Sequence, residues 1–438
     1  MNAAQASIFE EFIITSDDGS NSVNLYDGQI RIISFDYFES ILSPCITGTV
    51  IISSGSDAAV SREDPQNRVG SILSHLPLRA GSIISTKIRT KNGVLNFSGD
   101  DYKVLYVTKV VPLIQDSNSE TISIKFTSKI GWLNETTRIT RSFNGKITKS
   151  VESILTKELG IKSNKIFIEE AINSLTFTGM RKRPFDLLIG LLLKQSIPPN
   201  TVNPGYFCYE TKSGFNYVSI DTLINREEFK IPYEYNGKNI SSFETKDDSA
   251  DFKVATFSTE KDQDLLMQIR SGMYATKNLF FNPLTFKFTE IDISVITNSK
   301  FSSLGKKQKL PRILDQDFNE GKKYHRVQSA ILDIGSNTEE KTQNNNPELY
   351  YAAGTTRYNA LFSQIHNVTI PSNILLEAGD SIILNIESIS NDKVQGVDQV
   401  KSGKYIIRGI RHHFTPKVST TGLKLIRDSY GLHFSKSK

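Results

Sequence analysis

The chain has 438 residues, a formal net charge of +5, 38% hydrophobic residues and 23% charged residues. This length predicts two to four domains, and this composition is typical of a globular protein. The small positive charge does not indicate a nucleic-acid-binding protein, whose basic patch usually dominates its domain. Cys45 and Cys208, both in apolar runs, are too few for a disulfide framework and are expected to be small buried side chains.

The start of the chain, MNAAQASIFEEF, has no basic segment and carries Glu10 and Glu11. It is therefore not expected to be a signal peptide. No stretch approaches the ~18 uncharged apolar residues of a membrane-spanning helix. We expect a soluble protein that is made in a reducing compartment and has no stable membrane association.

The first third of the chain is rich in β-branched and aromatic residues. Clusters of Gly, Asp, Asn and Ser separate its short apolar runs, a pattern typical of antiparallel strands joined by turns. We expect a first β domain over residues 1–128, with strands in FEEFIITS, NLYDGQIRIISFDYF, TGTVIISS, SIISTKIRT, DYKVLYVTKVV and TISIKFTSK.

The hydrophobic period changes near residue 146. KITKSVESILTKELGIK has apolar residues at helical spacing, and Gly160 is a plausible C-terminal cap. In RKRPFDLLIGLLLKQSIPPN, Pro184 suits the first turn of a second helix and Pro198-Pro199 ends it. We expect a small α/β domain over residues 129–200.

Strands return at Gly205, where GYFCYETKSGFNYVSIDTL predicts a hairpin with Lys212, Ser213 and Gly214 in its turn. We expect a second β domain formed by residues 201–240 and 350–438, the chain being β again from about residue 364. Between them, residues 241–349 mix charged loops with a few strands such as LTFKFTEIDISVI, and NTEEKTQNNNPELY is predicted to be a mobile loop. The predicted fold class is α+β, mainly β.

The two β-rich ends resemble each other. LPLRAGSIISTKI (76–88) matches ILLEAGDSIILNI (374–386), so Gly81 corresponds to Gly379. DYKVLYVTKVV (101–111) matches GKYIIRGIRHHF (403–414) on Tyr102 and Tyr405, and TISIKFTS (121–128) matches GLKLIRDS (422–429). Glycine in each Ala-Gly pair permits a turn conformation that is closed to other residues. The matches predict a duplicated β domain, the second copy interrupted by an insertion; chance likeness between short β-rich segments is the alternative.

Two adjacent histidines, His412 and His413, raise the question of a metal site. Successive side chains of a strand point to opposite faces, so these two cannot bind one ion together. Arg411 shares a face with His413, and Arg408 is an even number of positions from His412. The other histidines are scattered without metal-binding spacing: His75, His325, His366 and His433. We expect no metal, no cofactor and no catalytic residue, since nucleophile-elbow and nucleotide-binding motifs are missing too.

Basic clusters occur at residues 181–184, 305–312 and 322–326. They could contact phosphate or an acidic partner, although solvated loops are the favoured interpretation. They lack the interleaved aromatic residues of single-strand binders. Carboxylate pairs for glycoside hydrolysis cannot be recognised from spacing, because such residues are close in space rather than in sequence.

A family resemblance covers most of the chain apart from roughly residues 240–350. The segments that carry it are RPFDLLIGLLLKQSI, GYFCYETKSGFNYVSIDTLI, LLEAGDSIILNI, SGKYIIRGIRHHFT and TGLKLIRDS. Together they resemble the baseplate hub proteins of contractile-tailed bacteriophages, which are related to the spike hubs of bacterial injection systems. The aromatic stretch GYFCYET…GFNYVSID is the most characteristic part.

The resemblance implies two tail-tube-like antiparallel β-barrel domains with smaller α/β domains inserted. It implies a non-enzymatic homotrimeric ring in the virion baseplate, assembled in the host cytoplasm. This ring would join a hexameric tail tube protein to a trimeric central spike protein, contact other baseplate proteins, and let DNA pass through its lumen. Arg408, Arg411, His412 and His413 then become candidates for surface or lumen positions. The alternatives are a cell-wall or glycan hydrolase of the tail tip and a nucleic-acid-binding protein.

Overall fold

Residues 7–430 are described by the computed structural model, with gaps at 20–21, 25–29, 56–58, 61–67, 71–77, 99–103, 200–202, 238–250, 263, 284, 295–300, 306–325, 332–346 and 389–395. β-Branched and aromatic residues alternate with polar ones in the first third and form strands, because such side chains suit a half-buried pleated surface. These strands are β1 (Ile8–Thr15), β2 (Ser22–Asn24), β3 (Arg31–Ser40), β4 (Thr47–Gly55), β5 (Ala59–Val60), β6 (Arg68–Gly70), β7 (Ile83–Thr90), β8 (Gly93–Phe97), β9 (Leu105–Gln115) and β10 (Ser119–Ser128).

The middle of the chain is a small mixed unit. Its strands are β11 (Ser142–Phe143), β12 (Ile166–Ile168), β13 (Phe177–Thr178), β14 (Tyr206–Glu210) and β15 (Phe215–Ser219). Its helices are α1 (Lys129–Thr136), α2 (Ile147–Ser153, continued by a π-helical turn over Ile154–Glu158), a 3-10 turn (Ser163–Lys165), α3 (Pro184–Leu187, continued by a π-helical turn over Leu188–Leu192), α4 (Leu193–Gln195) and α5 (Ile220–Asn225). Both predicted helices are confirmed, and Pro184 begins the second of them.

The rest of the chain holds a second group of strands and an insertion. The strands are β16 (Tyr233–Tyr235), β17 (Thr256–Lys261), β18 (Ala275–Asn282), β19 (Lys287–Ser294), β20 (Arg326–Ile331), β21 (Gln364–Pro371), β22 (Ser381–Ile386), β23 (Gly403–Phe414) and β24 (Ser419–Arg427). The helices are α6 (Leu265–Arg270) and α7 (Pro347–Leu361). Residues 337–346 of the predicted mobile loop lie outside the described residues, whereas its last four residues, PELY, form the first turn of α7 instead of a loop.

One 14-stranded sheet runs through the molecule. Its main path is β17-β21-β24-β23-β3-β4-β10-β9-β7-β1-β2, and β16, β22 and β8 branch from it. The predicted mainly β, α+β class is confirmed. The pairing among the described strands does not close either half of this sheet into a barrel.

The internal repeat is confirmed by matching hydrogen bonds. Gly81 and Gly379 both have positive φ, 101° and 86°. The Gly81 N–H donates to the Val107 carbonyl at 2.8 Å, and the Gly379 N–H donates to the Ile407 carbonyl at the same distance. The two glycines therefore occupy equivalent turns. Gly81 precedes β7, which pairs with β9, and Gly379 precedes β22, which pairs with β23.

A second shared feature is a β-bulge. The register between β9 and β10 shifts at Thr108, and the register between β23 and β24 shifts at Arg408. Strands β3, β4, β7, β9 and β10 thus correspond to β17, β21, β22, β23 and β24. An insertion lies between β17 and β21, at the point where the first copy has the short connection from β3 to β4. Strand β17 itself falls within residues 241–349, which were predicted to be the insertion.

Two details of the predicted alignment were wrong. Ile382 pairs with Tyr405, and its counterpart Ile84 pairs with Leu105, so Leu105 rather than Tyr102 corresponds to Tyr405. Tyr102 itself lies outside the described residues. The third pair of segments was matched two residues out of register, because Phe126 pairs with Val107 where Leu425 pairs with Ile407. A shift of two keeps the same face of a strand buried, so the hydrophobic pattern could not reveal it.

Strand pairing concerns one expected domain boundary, the start of the second β domain at residue 201. The predicted hairpin β14–β15 exists, with Lys212, Ser213 and Gly214 between its strands. However, β15 pairs in parallel with β12, so the hairpin belongs to the sheet of the middle unit rather than to the second repeat. The face with Tyr206, Cys208 and Tyr217 packs into the core of that unit.

The insertion carries its own small sheet, in the order β19-β18-β20. One face covers α7, where Phe280 and Ala352 form a small core. Strand β19 confirms the strand that was predicted in LTFKFTEIDISVI.

Candidate functional site: the joint between the two repeats

The two repeats are joined edge to edge by β3 and β23. Six residue pairs connect these antiparallel strands, from Gly409 opposite Ser40 to Phe414 opposite Phe35. Phe414 of the second repeat thereby enters the core of the first, where its ring lies 6.3 Å from that of Phe35. The repeats share both a backbone ladder and a core, which fixes their relative orientation.

On the open face of this joint, Asp36 binds two side chains of β23. Its Oδ1 accepts a hydrogen bond from Arg411 Nε at 2.8 Å and lies 2.7 Å from His413 Nδ1. Burial raises the pKa of Asp36, but the hydrogen bonds of His413 and Arg411 outweigh burial and hold the pKa below its ordinary value. The carboxylate is ionised at neutral pH and orders the side chains across the joint.

His412 points to the other face, as the strand geometry predicted. It is fully buried, stacks on Tyr37 with a centroid distance of 5.9 Å, and places Nδ1 3.1 Å from Thr421 Oγ1. Burial disfavours the charged imidazole and lowers the pKa of His412 to about 3. The expectation that His412 lies on the surface or lumen was wrong, because its side chain is fully buried against Tyr37 of β3 and Thr421 of β24.

Arg408 departs from simple strand alternation. It lies at the bulge of β23, and its guanidinium is 5.6 Å from the ring centroid of Phe362. The bulge adds one residue, so counting positions from His412 does not give the face of Arg408. Arg408 and Arg411 line an open groove of about 520 Å³ on the sheet.

The tip of the β14–β15 hairpin lies between the two repeats and binds both. Glu210 is buried and accepts hydrogen bonds from the Ile46 N–H at 2.9 Å and from Ser128 Oγ at 2.5 Å, both in the first repeat. Lys212 Nζ donates to the Leu376 carbonyl of the second repeat at 2.9 Å. One hairpin therefore holds both repeats at fixed distances from the middle unit.

A buried carboxylate lies at the centre of this arrangement. Glu39 accepts hydrogen bonds from Tyr37 Oη at 2.5 Å, from the Lys212 N–H at 2.7 Å and from the Ala378 N–H at 2.9 Å. Burial raises the pKa of Glu39 to about 7, against the opposing effect of the nearby Lys212 charge. Glu377 also faces this site, with Oε1 3.3 Å from Lys212 Nζ. We call Tyr37, Glu39, Lys212, Glu377 and Ala378 the joint cluster.

Sequence reasoning did not identify the joint cluster. A signal was present, because Asp36 interrupts the apolar run IISFDYF, Glu39 follows that run directly, and Glu210 ends the apolar run YFCYE. Acidic residues within strands that are otherwise apolar are buried only when they are hydrogen-bonded or paired. Apart from Tyr37, the partners come from residues at least 82 positions away, so spacing could not reveal them.

The remaining candidates for a site lie apart from the joint. His366 is buried with Nδ1 3.1 Å from Thr259 Oγ1, and burial lowers its pKa to about 4. His75, His325 and His433, and most of the basic clusters at 305–312 and 322–326, lie outside the described residues. In the cluster at 181–184, Arg183 binds Glu135 and Asp186 on the surface. The described residues contain no group of three side chains suited to a metal ion, and no described helix is long and apolar enough to cross a membrane.

Comparison with known proteins identifies the fold. No family model and no curated protein matches the sequence. The 43 kDa tail protein of prophage MuSo2 from Shewanella oneidensis matches with a TM-score of 0.51 at 14% identity, over 96% of this chain and 98% of that chain. The tail protein from Neisseria meningitidis MC58 has a TM-score of 0.49 at 10% identity, over 95% and 97% of the two chains. The prophage tail protein gp18 from Listeria monocytogenes EGD-e has a TM-score of 0.47 at 11% identity, over 95% and 94%.

The first of these superpositions shows that this chain has the fold of a phage tail protein along almost its whole length. The resemblance to phage tail and baseplate proteins that was recognised in the sequence is thus confirmed at the level of the fold.

Proposed function

We propose that this chain is the structural hub subunit of a contractile tail baseplate. Three chains form a ring that joins a hexameric tail tube to a trimeric central spike and leaves a passage for DNA. The duplication supports this role, because two equivalent repeats in each of three chains present six similar surfaces. A threefold ring with such pseudo-sixfold surfaces resolves the mismatch between a hexamer and a trimer.

The observation that carries the proposal is the joint. The two repeats share the glycine turn, the bulge and the strand order, and β3–β23 pairing places them side by side in one sheet. Side-by-side placement is what a ring of six similar units requires. The joint cluster holds that placement, because it ties both repeats to the hairpin of the middle unit.

The proposal includes two tail-tube-like β-barrel domains in each chain. We take each repeat as one tail-tube-like domain, the first over residues 1–128 and the second around β16–β17 and β21–β24. The middle unit and the insertion that carries β18–β20 and α7 are the smaller domains. We assign the contacts with other baseplate proteins to the surfaces of these smaller domains.

Native mass spectrometry of the chain co-expressed with the adjacent tube and spike proteins tests the oligomeric state. Three chains of 49.1 kDa give an expected ring of about 147 kDa. Co-expression is needed because subunit association depends on partners and concentration. A stable hexamer, or a chain that stays monomeric beside its partners, would overturn the proposal.

A structural hub has no catalytic task, so purified protein should not clear suspensions of bacterial cell walls. Clearing that persists after further purification would favour the hydrolase alternative.

Mass spectrometry of purified virions should detect the chain together with tail proteins.

A further inference from the structure

The joint uses one strand edge from each repeat, and each repeat has a second, corresponding edge. On the edge of β23 that faces away from β24, β22 pairs with residues 403–406 and β3 pairs with residues 409–414. On the corresponding edge of β9, β7 pairs with Leu105 and Tyr106 alone. Within the described part of the chain, residues 109–114 have no strand partner on that edge.

In the second repeat, the counterpart of β3 is β17, and it also has an edge without a strand partner among the described strands. Strand β3 is paired on both edges, by β4 and by β23. Strand β17 pairs with β21 on one edge, and it ends the sheet among the described strands. The correspondence is residue by residue, because Phe35 pairs with Val50 where Phe257 pairs with Val368.

The open edge of β9 carries exposed apolar side chains. Leu113 is 51% exposed and Ile114 is 62% exposed. An exposed apolar strand edge is a template for pairing with another chain, and proteins usually cover or interrupt such edges. Pro112 removes one backbone donor here, which shortens any ladder without preventing one.

We propose that β17 of one subunit pairs antiparallel with β9 of the next, as β3 pairs with β23 within the chain. This inference rests on the proposed ring and identifies its interface, whose partner is a second copy of this chain. The internal register sets Phe38 opposite Arg411 and Tyr37 opposite His412. Transferred to the open edges, it sets Lys261 of one subunit opposite Val111 of the next, and Thr259 opposite Pro112.

Such a contact is heterologous, since each chain supplies two different edges. Heterologous contacts generate a closed ring when the rotation closes and a filament when it does not. If the contact between chains repeats the rotation of the internal joint, the ring consists of equally spaced repeats. Three chains close with six repeats if that rotation is one sixth of a turn, and the described edges of β9 and β17 are then all paired.

Disulfide trapping in the assembled ring tests the interface. Val111→Cys and Lys261→Cys are placed on two differently tagged chains, which are co-expressed with the tube and spike proteins and oxidised mildly. A covalent dimer with both tags is expected, and a chain with both substitutions should give a covalent trimer. Val111→Cys with Lys287→Cys is the matched control, because Lys287 lies on the edge strand β19 of the inserted sheet; it should give no more dimer than the parental chain.

A second variant tests the interface between β9 and β17 without a disulfide. Leu113→Lys with Ile114→Lys should abolish ring formation and leave the thermal midpoint of the monomer unchanged, because both side chains are exposed in the monomer. Rings that form without the trapped dimer, or that tolerate the lysines, would overturn this interface and leave the hub function standing. Failure of the parental chain to form trimers with its partners would instead overturn the proposed function, and this interface with it.

Discussion

At the scale of single residues, the glycine turn of the second repeat has no room for a side chain. Gly379 has a φ of 86°, and a Cβ there would overlap the hydroxyl of Tyr209. We expect Gly379→Ala to lower the free energy of unfolding by about 2–4 kcal/mol, from backbone strain and overpacking together. Urea denaturation of the purified chain measures this loss.

Substitutions at two other glycines distinguish backbone strain from overpacking as the cause of the stability loss at Gly379. Gly81 has the same turn conformation, but the nearest atom to its Cβ position is Asp17 Cβ at 3.5 Å, so Gly81→Ala should show backbone strain alone. Gly354 lies within α7, and its Cβ position is 3.8 Å from Pro204 Cβ. Gly354→Ala should be neutral or stabilise by up to about 1 kcal/mol, since alanine favours a helix. Equal losses at Gly81 and Gly379 would show that Tyr209 does not restrict the turn.

Glu39 should make stability depend on pH. Its folded pKa is raised from 4.5 to about 7, so the folded state binds a proton that the unfolded state releases in this range. This contribution is fully present below pH 4.5 and is lost as the pH rises through 7, by up to about 3 kcal/mol. The free energy of unfolding, measured from pH 4.5 to 7.5, should therefore fall more steeply for the parental chain than for Glu39→Gln.

Glu39→Gln should also be less stable than the parental chain at every pH. The Lys212 N–H donates to one carboxylate oxygen and the Ala378 N–H to the other, so the NH₂ of the glutamine amide would face one of these two donors. Parallel pH profiles for the two proteins would mean that Glu39 does not titrate in this range.

At the scale of elements, one ion pair attaches α7 to the hairpin region. Arg357 donates to Asp221 Oδ1 at 2.5 Å and to the carbonyls of Asn203 and Pro204 at 3.0 and 2.9 Å. Both side chains of the pair are at most 4% exposed. Arg357→Met would leave the carboxylate of Asp221 buried without its cation, and we expect a loss of about 3–5 kcal/mol.

Adding Asp221→Asn to Arg357→Met should recover part of that stability, because the remaining amide is neutral. Hydrogen exchange should show faster exchange at α7 in the single variant than in the double variant. If the double variant is less stable by the sum of the two single losses, the two side chains do not interact energetically.

At the scale of the whole molecule, the shared core predicts that the two repeats unfold together. Phe414 and Ile374 of the second repeat belong to the core cluster of the first. Calorimetry should show one transition for both repeats. Phe414→Ala should lower the midpoint of that transition and destabilise both repeats, with a loss of about 3–5 kcal/mol. Phe280→Ala in the insertion is the control, and it should leave the exchange rates of β3 and β23 unchanged.

The sequence by itself determined the local structure and the repeat. Residue types with period two gave the strands, Pro184 marked a helix start, and the Ala-Gly pairs at Gly81 and Gly379 marked equivalent turns. These features are local, since backbone conformation and hydrophobic period act within a few residues. The likeness to tail proteins followed from RPFDLLIGLLLKQSI, from GYFCYETKSGFNYVSIDTLI and from the segments of the second repeat.

The tertiary structure decided everything that depends on distant partners. Only strand pairing showed that the bulges at Thr108 and Arg408 correspond and that Leu105, not Tyr102, matches Tyr405. Only folding brings Glu39, Lys212 and Ala378 together, and only tertiary packing buries His412. The physical reason is that burial and hydrogen-bond partners are set by contacts across hundreds of residues, whereas the strand pattern along the chain records only which face of each strand is apolar.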